Sequence, residues 1–298
     1  MTIKIDKTSL LVLLCVLGII AIYSFTRNNE VSTCSQQQIH SLCRNKPFEF
    51  AGEKVPLEDP EVYERLDREL SVNAYWQSNT LLTLKLADKY FPIIEPILKE
   101  QGVPDDFKYL CMAESGLRDV ISPAGASGKW QFMKGTAAEY NMKVTDEIDE
   151  RYDIVKSTVA ACQYFNSAKN KLGSWTSAAA SYNMGINGFQ NKVNEQIDDN
   201  YYNLWLNQET SRYVFRIIAL KEIHKNPKNY GFYFEKEDNY PEIKSELKAY
   251  MLPIPDLSLF AKSYNTNYKT LRYLNPWIRS NKLTKSNEET VVLRMPVK

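Results

Sequence analysis

The chain has 298 residues, 44% of them hydrophobic and 24% charged, with a formal net charge of +1. That length holds a sizeable core with segments to spare, and the near-neutral balance lacks the basic footprint of a nucleic-acid binder. The two histidines, His40 and His224, are far apart and no CxxC, HExxH, GxSxG or P-loop occurs, so metal hydrolysis, nucleotide chemistry and His-dependent triads are poorly supported and no cofactor or metal is expected.

Lys4 and Lys7 precede an apolar run from Leu10 to Ile22 that continues less purely to Phe25. Residues 1–28 therefore read as a membrane anchor or signal segment. No small-x-small cleavage site follows, and the nearest lipobox-like stretch, Val31 to Cys34, lies beyond the run. An uncleaved anchor is the expectation, with the lysines inside and the bulk exported. Residues 29–60 read as a polar linker. Cys34 and Cys43 within it either close a small disulfide loop or stay as free thiols. Val62, Leu66 and Leu70 then mark a helix, and Leu81 to Lys99 a second one interrupted by Pro92 and Pro96. Both are expected to pack on the domain that follows.

The stretch from Pro104 to Thr136 carries the chemistry. Pro104 and the Asp105–Asp106 pair read as a helix start, where acidic side chains meet free backbone N–H groups. Phe107, Leu110, Cys111 and Glu114 fall at i, i+3, i+4 and i+7, one face of that helix. Gly116 ends it. The apolar members turn this face inward, so Glu114 stands at the end of a buried stripe, where desolvation raises a carboxyl pKa. An acid protonated near neutral pH is what glycosidic cleavage needs. The competing reading is a solvated surface glutamate. Gly125 to Gly128 forms a small-residue turn that lets backbone approach a ligand. Thr136 to Glu139 reads as a capping box opening another helix.

Ile154 to Leu172 is a long helix ended by Gly173, with Asp153 as its cap and Val155, Val159, Cys162 and Phe165 at helical spacing. Cys111 and Cys162 sit on apolar faces and read as buried free thiols. Ala178 to Ala180 form a closely packed helix that delivers Tyr182 and Asn183 towards Gly185 and Gly188. Asn200 to Trp205 is aromatic and loop-like, either a sugar-stacking wall or local core. Thr210 to Lys225 is the last helix of the region, stopped by Pro227.

The order Glu114-Ser115, glycine turn, Gln131-x-Met133, then Ser181-Tyr-Asn-Met-Gly185 and Glu209-Thr-Ser-Arg-Tyr213-Val214 resembles the soluble lytic transglycosylase domain. This is a lysozyme-like family that cleaves the glycan strands of peptidoglycan, and the resemblance covers roughly residues 100 to 225. It implies a mainly α, lysozyme-like SLT catalytic domain over residues 61–229 with flanking N-terminal helices. It further implies Glu114 as the single acid/base, with Ser115, Gln131, Met133, Tyr182, Asn183 and Tyr213 as substrate-groove residues. Tyr213 would lie near the carboxylate. The family's usual Leu-Met before Gln131 is here Lys129-Trp130, similar to the membrane-bound type D subgroup. Lys134 replaces a proline, Ser181 an alanine, and Met184 is bulkier than usual. These departures are expected to touch groove walls and so to bear on substrate preference.

Residues 230–298 differ in character. Two short helices between Ile254 and Pro276 followed by the strand-like Val291 to Pro296 are similar to a LysM glycan-binding repeat lacking its opening Gly-Asp-Thr. A small α+β C-terminal subdomain results, one that either binds glycan or only packs. The implied function is cleavage of the MurNAc-GlcNAc β-1,4 bond with formation of 1,6-anhydro-MurNAc, in the bacterial cell envelope. The enzyme would be held to the inner membrane through its N-terminal segment, with the catalytic domain in the periplasm and peptidoglycan as its partner. A goose-type-like lysozyme hydrolase using Asp119, and a non-catalytic cell-wall-binding protein, are the alternatives.

Overall fold

The computed structural model describes residues 46–241, 243–284 and 290–297, together with Val16 and Gly18. The chain divides into units 1–41 and 42–298, and all that follows concerns the second. The expected anchor, apart from Val16 and Gly18, and the Cys34–Cys43 loop lie outside the described residues. Among those residues no helix is long and apolar enough to cross a membrane.

The described second unit opens with a hairpin, β1 (Glu49–Phe50) and β2 (Glu53–Lys54). Ala51 and Gly52 both have positive φ at its tip, the turn that matches strand twist. Phe48, Phe50 and Val55 around it enter the main core, so this part of the polar 29–60 stretch packs inside. Helix α1 (Pro60–Tyr75) starts with proline in its first turn and with the Asp59 side chain accepting from Glu61 N–H. Its Val62, Leu66 and Leu70 are buried. Helix α2 (Gln77–Glu100) runs unbroken through Pro92 and Pro96, against the interruption expected from the sequence. The two prolines are four apart on the exposed face, while Phe91, Ile94 and Leu98 on the other face are buried. The carbonyls left without an N–H donor therefore lie on the watered side, and burial of the opposite face holds the helix together.

Helix α3 (Phe107–Ser115) begins without a side-chain cap from Asp106, which is itself helical. The Asp106 carboxylate instead accepts from Lys221 Nζ at 2.6 Å and from Ala51 N at 2.7 Å, since a partly buried carboxylate gains more from a cation than from a cap. Gly116 ends the helix in the left-handed conformation, φ 60°. Helix α4 (Lys134–Glu139) starts two residues before the expected capping box. Thr136 is thus inside the helix and caps nothing. Helix α5 (Ile154–Leu172) is capped as expected, with Asp153 Oδ1 accepting from Val155 and Lys156 N–H. Its buried stripe is displaced from the expected one, however. Thr158, Ala161, Cys162, Phe165 and Ala168 are inside and Val155 is exposed.

Helix α6 (Trp175–Met184) is capped by Ser174, and its Ala178, Ala179 and Ala180 are fully buried, allowing close approach of neighbours. Helices α7 (Ile186–Gln196) and α8 (Gln208–Lys225) follow. Helix α8 packs against α1, α3 and α6 and is buried almost all round, which is why it lacks a clear amphipathic stripe. Cys111 and Cys162 are free and buried.

The C-terminal part holds β3 (Ser245–Met251), α9 (Leu257–Ser263), α10 (Tyr268–Leu274) and β4 (Thr290–Pro296). The strands pair antiparallel, Ser245 opposite Pro296 and Met251 opposite Thr290. A small separate core forms from Ile254, Leu257, Leu271, Ile278, Leu293 and Met295, with Ile148 of the helical part joining it. Asp149 N–H donates to Trp277 O at 2.8 Å, Arg279 N–H to Glu147 O at 2.8 Å, and the Glu147 carboxylate takes both Thr284 N–H and its hydroxyl. Chain organisation is thus mainly α with a small α+β C-terminal part.

Candidate active site

Helices α3 and α8 meet through Glu114 and Tyr213. The Tyr213 hydroxyl, buried on α8, donates to Glu114 Oε1 at the end of α3, 99 residues away in sequence. Burial raises the Glu114 pKa to about 7, against the Tyr213 hydrogen bond and the Arg216 charge, which lower it, and with Glu209 adding a smaller upward push. The same burial pushes the Tyr213 hydroxyl well above its usual range, and the Glu114 charge adds to it. Glu114 is therefore a carboxyl group protonated in an appreciable fraction at neutral pH, with a neutral donor fixing one oxygen.

The other expected site residues divide into two groups. Tyr182, on α6, feels the Glu114 charge. Its hydroxyl donates to Trp130 O at 2.7 Å and its ring packs on Phe132, Tyr164 and Phe165. Asn183 accepts from the Thr210 hydroxyl at 2.6 Å, tying α6 to α8. Met133 is exposed. Ser115 and Gln131 are turned towards their own chain. The Ser115 hydroxyl is buried and donates to Lys129 O at 2.8 Å, while Gln131 Nε2 donates to Gly128 O at 2.7 Å and Val120 O at 3.1 Å. Ser115 thereby secures the 125–131 loop to α3, and Gln131 ties that loop to itself and to Val120.

That loop corrects two expectations. The close backbone approach at Gly128 is to the chain itself, since a Cβ there would lie 2.0 Å from Arg151 O. Trp130 is fully buried with its Nε1–H on Thr158 Oγ1 at 2.8 Å, and Ser181 is likewise buried and bonded to Ala178 O. These two departures from the family pattern belong to the core and do not line a groove. The 200–205 stretch also resolves. Tyr201 and Tyr202 pack against Phe215 in the core while Trp205 is exposed.

Glu114 lines a cavity of about 390 Å³ bounded by α1, α2, α3 and α8. Sequence reading missed most of its polar lining. Glu69 on α1 is fully buried and accepts from Arg212 Nε at 2.6 Å, with Arg216 Nε 3.7 Å from its other oxygen. Their spacing, Arg212 and Arg216 one turn apart, was the available signal. A larger cavity of about 490 Å³ lies between the helical part and the C-terminal part, lined by Asp119, Lys129, Glu150, Trp277 and Arg294 but not by Glu114. Asp119 there is held by Lys129 Nζ at 2.6 Å.

Removing the Tyr213 hydroxyl has a signed consequence. The bond stabilises the charged carboxylate, so Tyr213→Phe raises the Glu114 pKa further. The alkaline limb of the pH–rate profile then moves to higher pH while the maximal rate falls about tenfold. A pH profile with an unmoved limb would show the hydroxyl to be catalytically idle.

Residues 91–204 match the family described as the Transglycosylase SLT domain, and residues 252–298 match the soluble lytic transglycosylase C-terminal LysM-like domain. The chain is 27% identical over 255 residues to membrane-bound lytic murein transglycosylase D of Escherichia coli (strain K12), covering 82% of this chain and 54% of that protein. The figures are the same for the counterpart in Escherichia coli O6:H1. The chain spans about half the length of these relatives. It carries a lysozyme-like SLT domain followed by a LysM-like domain of the same family type, and it is homologous to the type D proteins.

Proposed function

We propose that the chain is a peptidoglycan lytic transglycosylase, with Glu114 as its single acid/base. The carrying observation is the Glu114 carboxyl, poised near neutrality and facing a cavity whose only other carboxylate among the described residues, Glu69, is engaged by arginine. Glu114 protonates the glycosidic oxygen between N-acetylmuramic acid and N-acetylglucosamine as that bond breaks. The resulting carboxylate then takes the proton of the muramic C6 hydroxyl as its oxygen bonds to C1. One proton is lent and one recovered, and the product is a 1,6-anhydro sugar. A pKa near the working pH suits a group that must act in both senses. Intramolecular attack requires no second acid to activate water. Asp119, the base a hydrolase reading would use, is clasped by Lys129 on a different cavity.

Met133, Tyr182 and Asn183 would form the sugar groove, with Tyr213 orienting the acid and Ser115 and Gln131 fixing the loop beneath. The matches to murein-acting relatives and to a LysM-like domain support peptidoglycan as substrate and the cell envelope as location. They likewise support division into a catalytic domain over 61–229 and a glycan-directed subdomain over 230–298. Digestion of peptidoglycan in heavy-oxygen water tests the chemistry. Anhydro-ended fragments without solvent oxygen at C1 are expected, and labelled reducing ends as the main product would replace this reading with a hydrolase. Residues 1–28 are proposed to remain attached as an inner-membrane anchor. N-terminal sequencing of the mature protein is expected to return the original start, and a start near Thr26 or a lipid-modified Cys34 would overturn it.

A further inference from the structure

Arg216 on α8 acts on two carboxyls and is bonded to neither. Its Nε is 3.7 Å from Glu69 Oε2, too far for a hydrogen bond, and among the described residues its guanidinium donates to no acceptor. Its charge also reaches Glu114, whose pKa it lowers. Tyr213, three residues earlier on the same face of α8, holds Glu114 directly. Glu69 is fully buried on α1. Its Oε1 accepts from Arg212 Nε at 2.6 Å, while its Oε2 has no hydrogen bond. Glu69, Arg212 and Arg216 all line the cavity beside Glu114. A buried carboxylate oxygen in that state is incompletely satisfied, and the cation paired with it is the one that also acts on the acid. Glu69 and Arg216 both fall outside residues 91–204, the part matched by the SLT family.

We propose that Glu69 and Arg216 form a positioning pair for the acid: Glu69 draws Arg216 off Glu114 while the acid holds its proton, and Arg216 turns to Glu114 once the proton has gone. The inference rests on the functional reading above. A cation bonded outright to Glu114 would hold it as a carboxylate and leave no proton to give. No cation at all would leave the charge formed on Glu114 during cleavage without a partner. A guanidinium with no hydrogen bond on either side serves each stage in turn, since moving it breaks no bond. The other groups around the acid are committed or neutral. Arg212 is taken by Glu69, and Arg118, just beyond α3, donates to Asn79 Oδ1 at 3.1 Å and Ser115 O at 3.3 Å. Lys129, on the loop packed against α3, is clasped by Asp119. Burial pushes the Tyr182 and Tyr213 hydroxyls and the Cys111 thiol well above their usual ranges, so all three stay neutral. Glu209, in the first turn of α8, adds only a smaller upward push on Glu114.

The test is a carbon-13 NMR titration of the full chain labelled at its glutamate carboxyls, with the Glu114 signal identified by its loss in Glu114→Gln, beside pH–rate profiles on peptidoglycan. Glu69→Gln releases Arg216 to Glu114, so the Glu114 pKa falls and the alkaline limb moves to lower pH. The loss of rate at pH 8 is expected to exceed the loss at pH 5 by about threefold or more. Arg216→Gln should move pKa and limb the other way. The double variant decides, because with Arg216 gone Glu69→Gln should lower the Glu114 pKa much less. A general loosening of packing would not depend on Arg216 in this manner. Should Glu69→Gln fail to fold, Arg216→Gln carries the test, since that side chain gives up no hydrogen bond. An unmoved Glu114 titration in Arg216→Gln, or an equal lowering by Glu69→Gln with and without Arg216, would overturn the proposal and leave Glu69 as a brace between α1 and α8. The titration needs no turnover, so absence of cleavage by the parent protein would overturn the functional reading alone.

Discussion

Glu114→Gln is expected to reduce strand cleavage by about a thousandfold or more, because the amide can neither give nor recover the proton. The fold should survive it. The glutamine Oε1 still accepts from the Tyr213 hydroxyl, so the α3–α8 contact keeps its hydrogen bond. The effect on stability has a definite pH dependence. The Glu114 pKa is raised from 4.5 to about 7, so between those values the folded protein holds a proton that the unfolded chain releases. Stability therefore falls as pH rises through that window, and above it the folded state carries the full cost of a buried charge, at most roughly 3 kcal/mol. Glutamine removes this cost. Melting at pH 4.5 should find variant and parent alike, and melting at pH 8 should find the variant more stable by several degrees. A lower melting temperature at both pH values would make the carboxylate a structural group and would weaken its assignment as the acid.

The contrast between Glu114 and its surroundings shows which features could be read from the chain. The stripe of Phe107, Leu110 and Cys111 ending in Glu114 is local, set by the helical period, and α3 presents it as the periodicity requires. The caps at Asp153 and Gly116 are also local and appear as expected. The misses share a cause, which is that a distant partner decided the outcome. Asp106 could have capped α3, but Lys221 lies 115 residues away in sequence and offers a stronger bond. Pro92 and Pro96 would break an isolated helix, but the rest of the fold buries the opposite face. The stripe of α5 is displaced because α2 and α6 approach it from a side that periodicity cannot specify. Strand β3 was missed since its residues are mostly exposed on both faces and only pairing with β4 defines it. Trp130 and Ser181 looked like groove residues because they flank motif positions, yet neighbours in sequence alternate between surface and core. The arginines of α8 were legible as a pair one turn apart, but their purpose depends on Glu69 of α1.

Gly128→Ala is expected to be among the most disruptive single substitutions in the molecule, by about 3–5 kcal/mol. Two independent reasons add. Its φ of +80° is a conformation that side chains resist, and an added Cβ would stand 2.0 Å from Arg151 O and 2.7 Å from Arg151 C. The neighbour is backbone, and it cannot move away. Arg151 is buried and its guanidinium is fully engaged, with Nη1 on Gly125 O and Phe132 O at 3.1 Å and with Nε and Nη2 on the two Asp149 oxygens at 2.9 and 2.7 Å. Moving it would break a buried charge network. Gly125→Ala is the control. Its φ is +89° but nothing lies within 4 Å of the added Cβ, so conformational strain alone applies, about 1 kcal/mol. Urea unfolding of the two variants separates steric overlap from backbone preference. The displaced loop also carries Lys129 O, which positions Ser115 beside Glu114, as well as Gln131 and Met133, so activity should fall in Gly128→Ala even where it remains folded. A Gly128→Ala protein no less stable than Gly125→Ala would mean that the 125–133 loop and the Arg151 turn can separate freely, and that the loop does not hold the floor of the site.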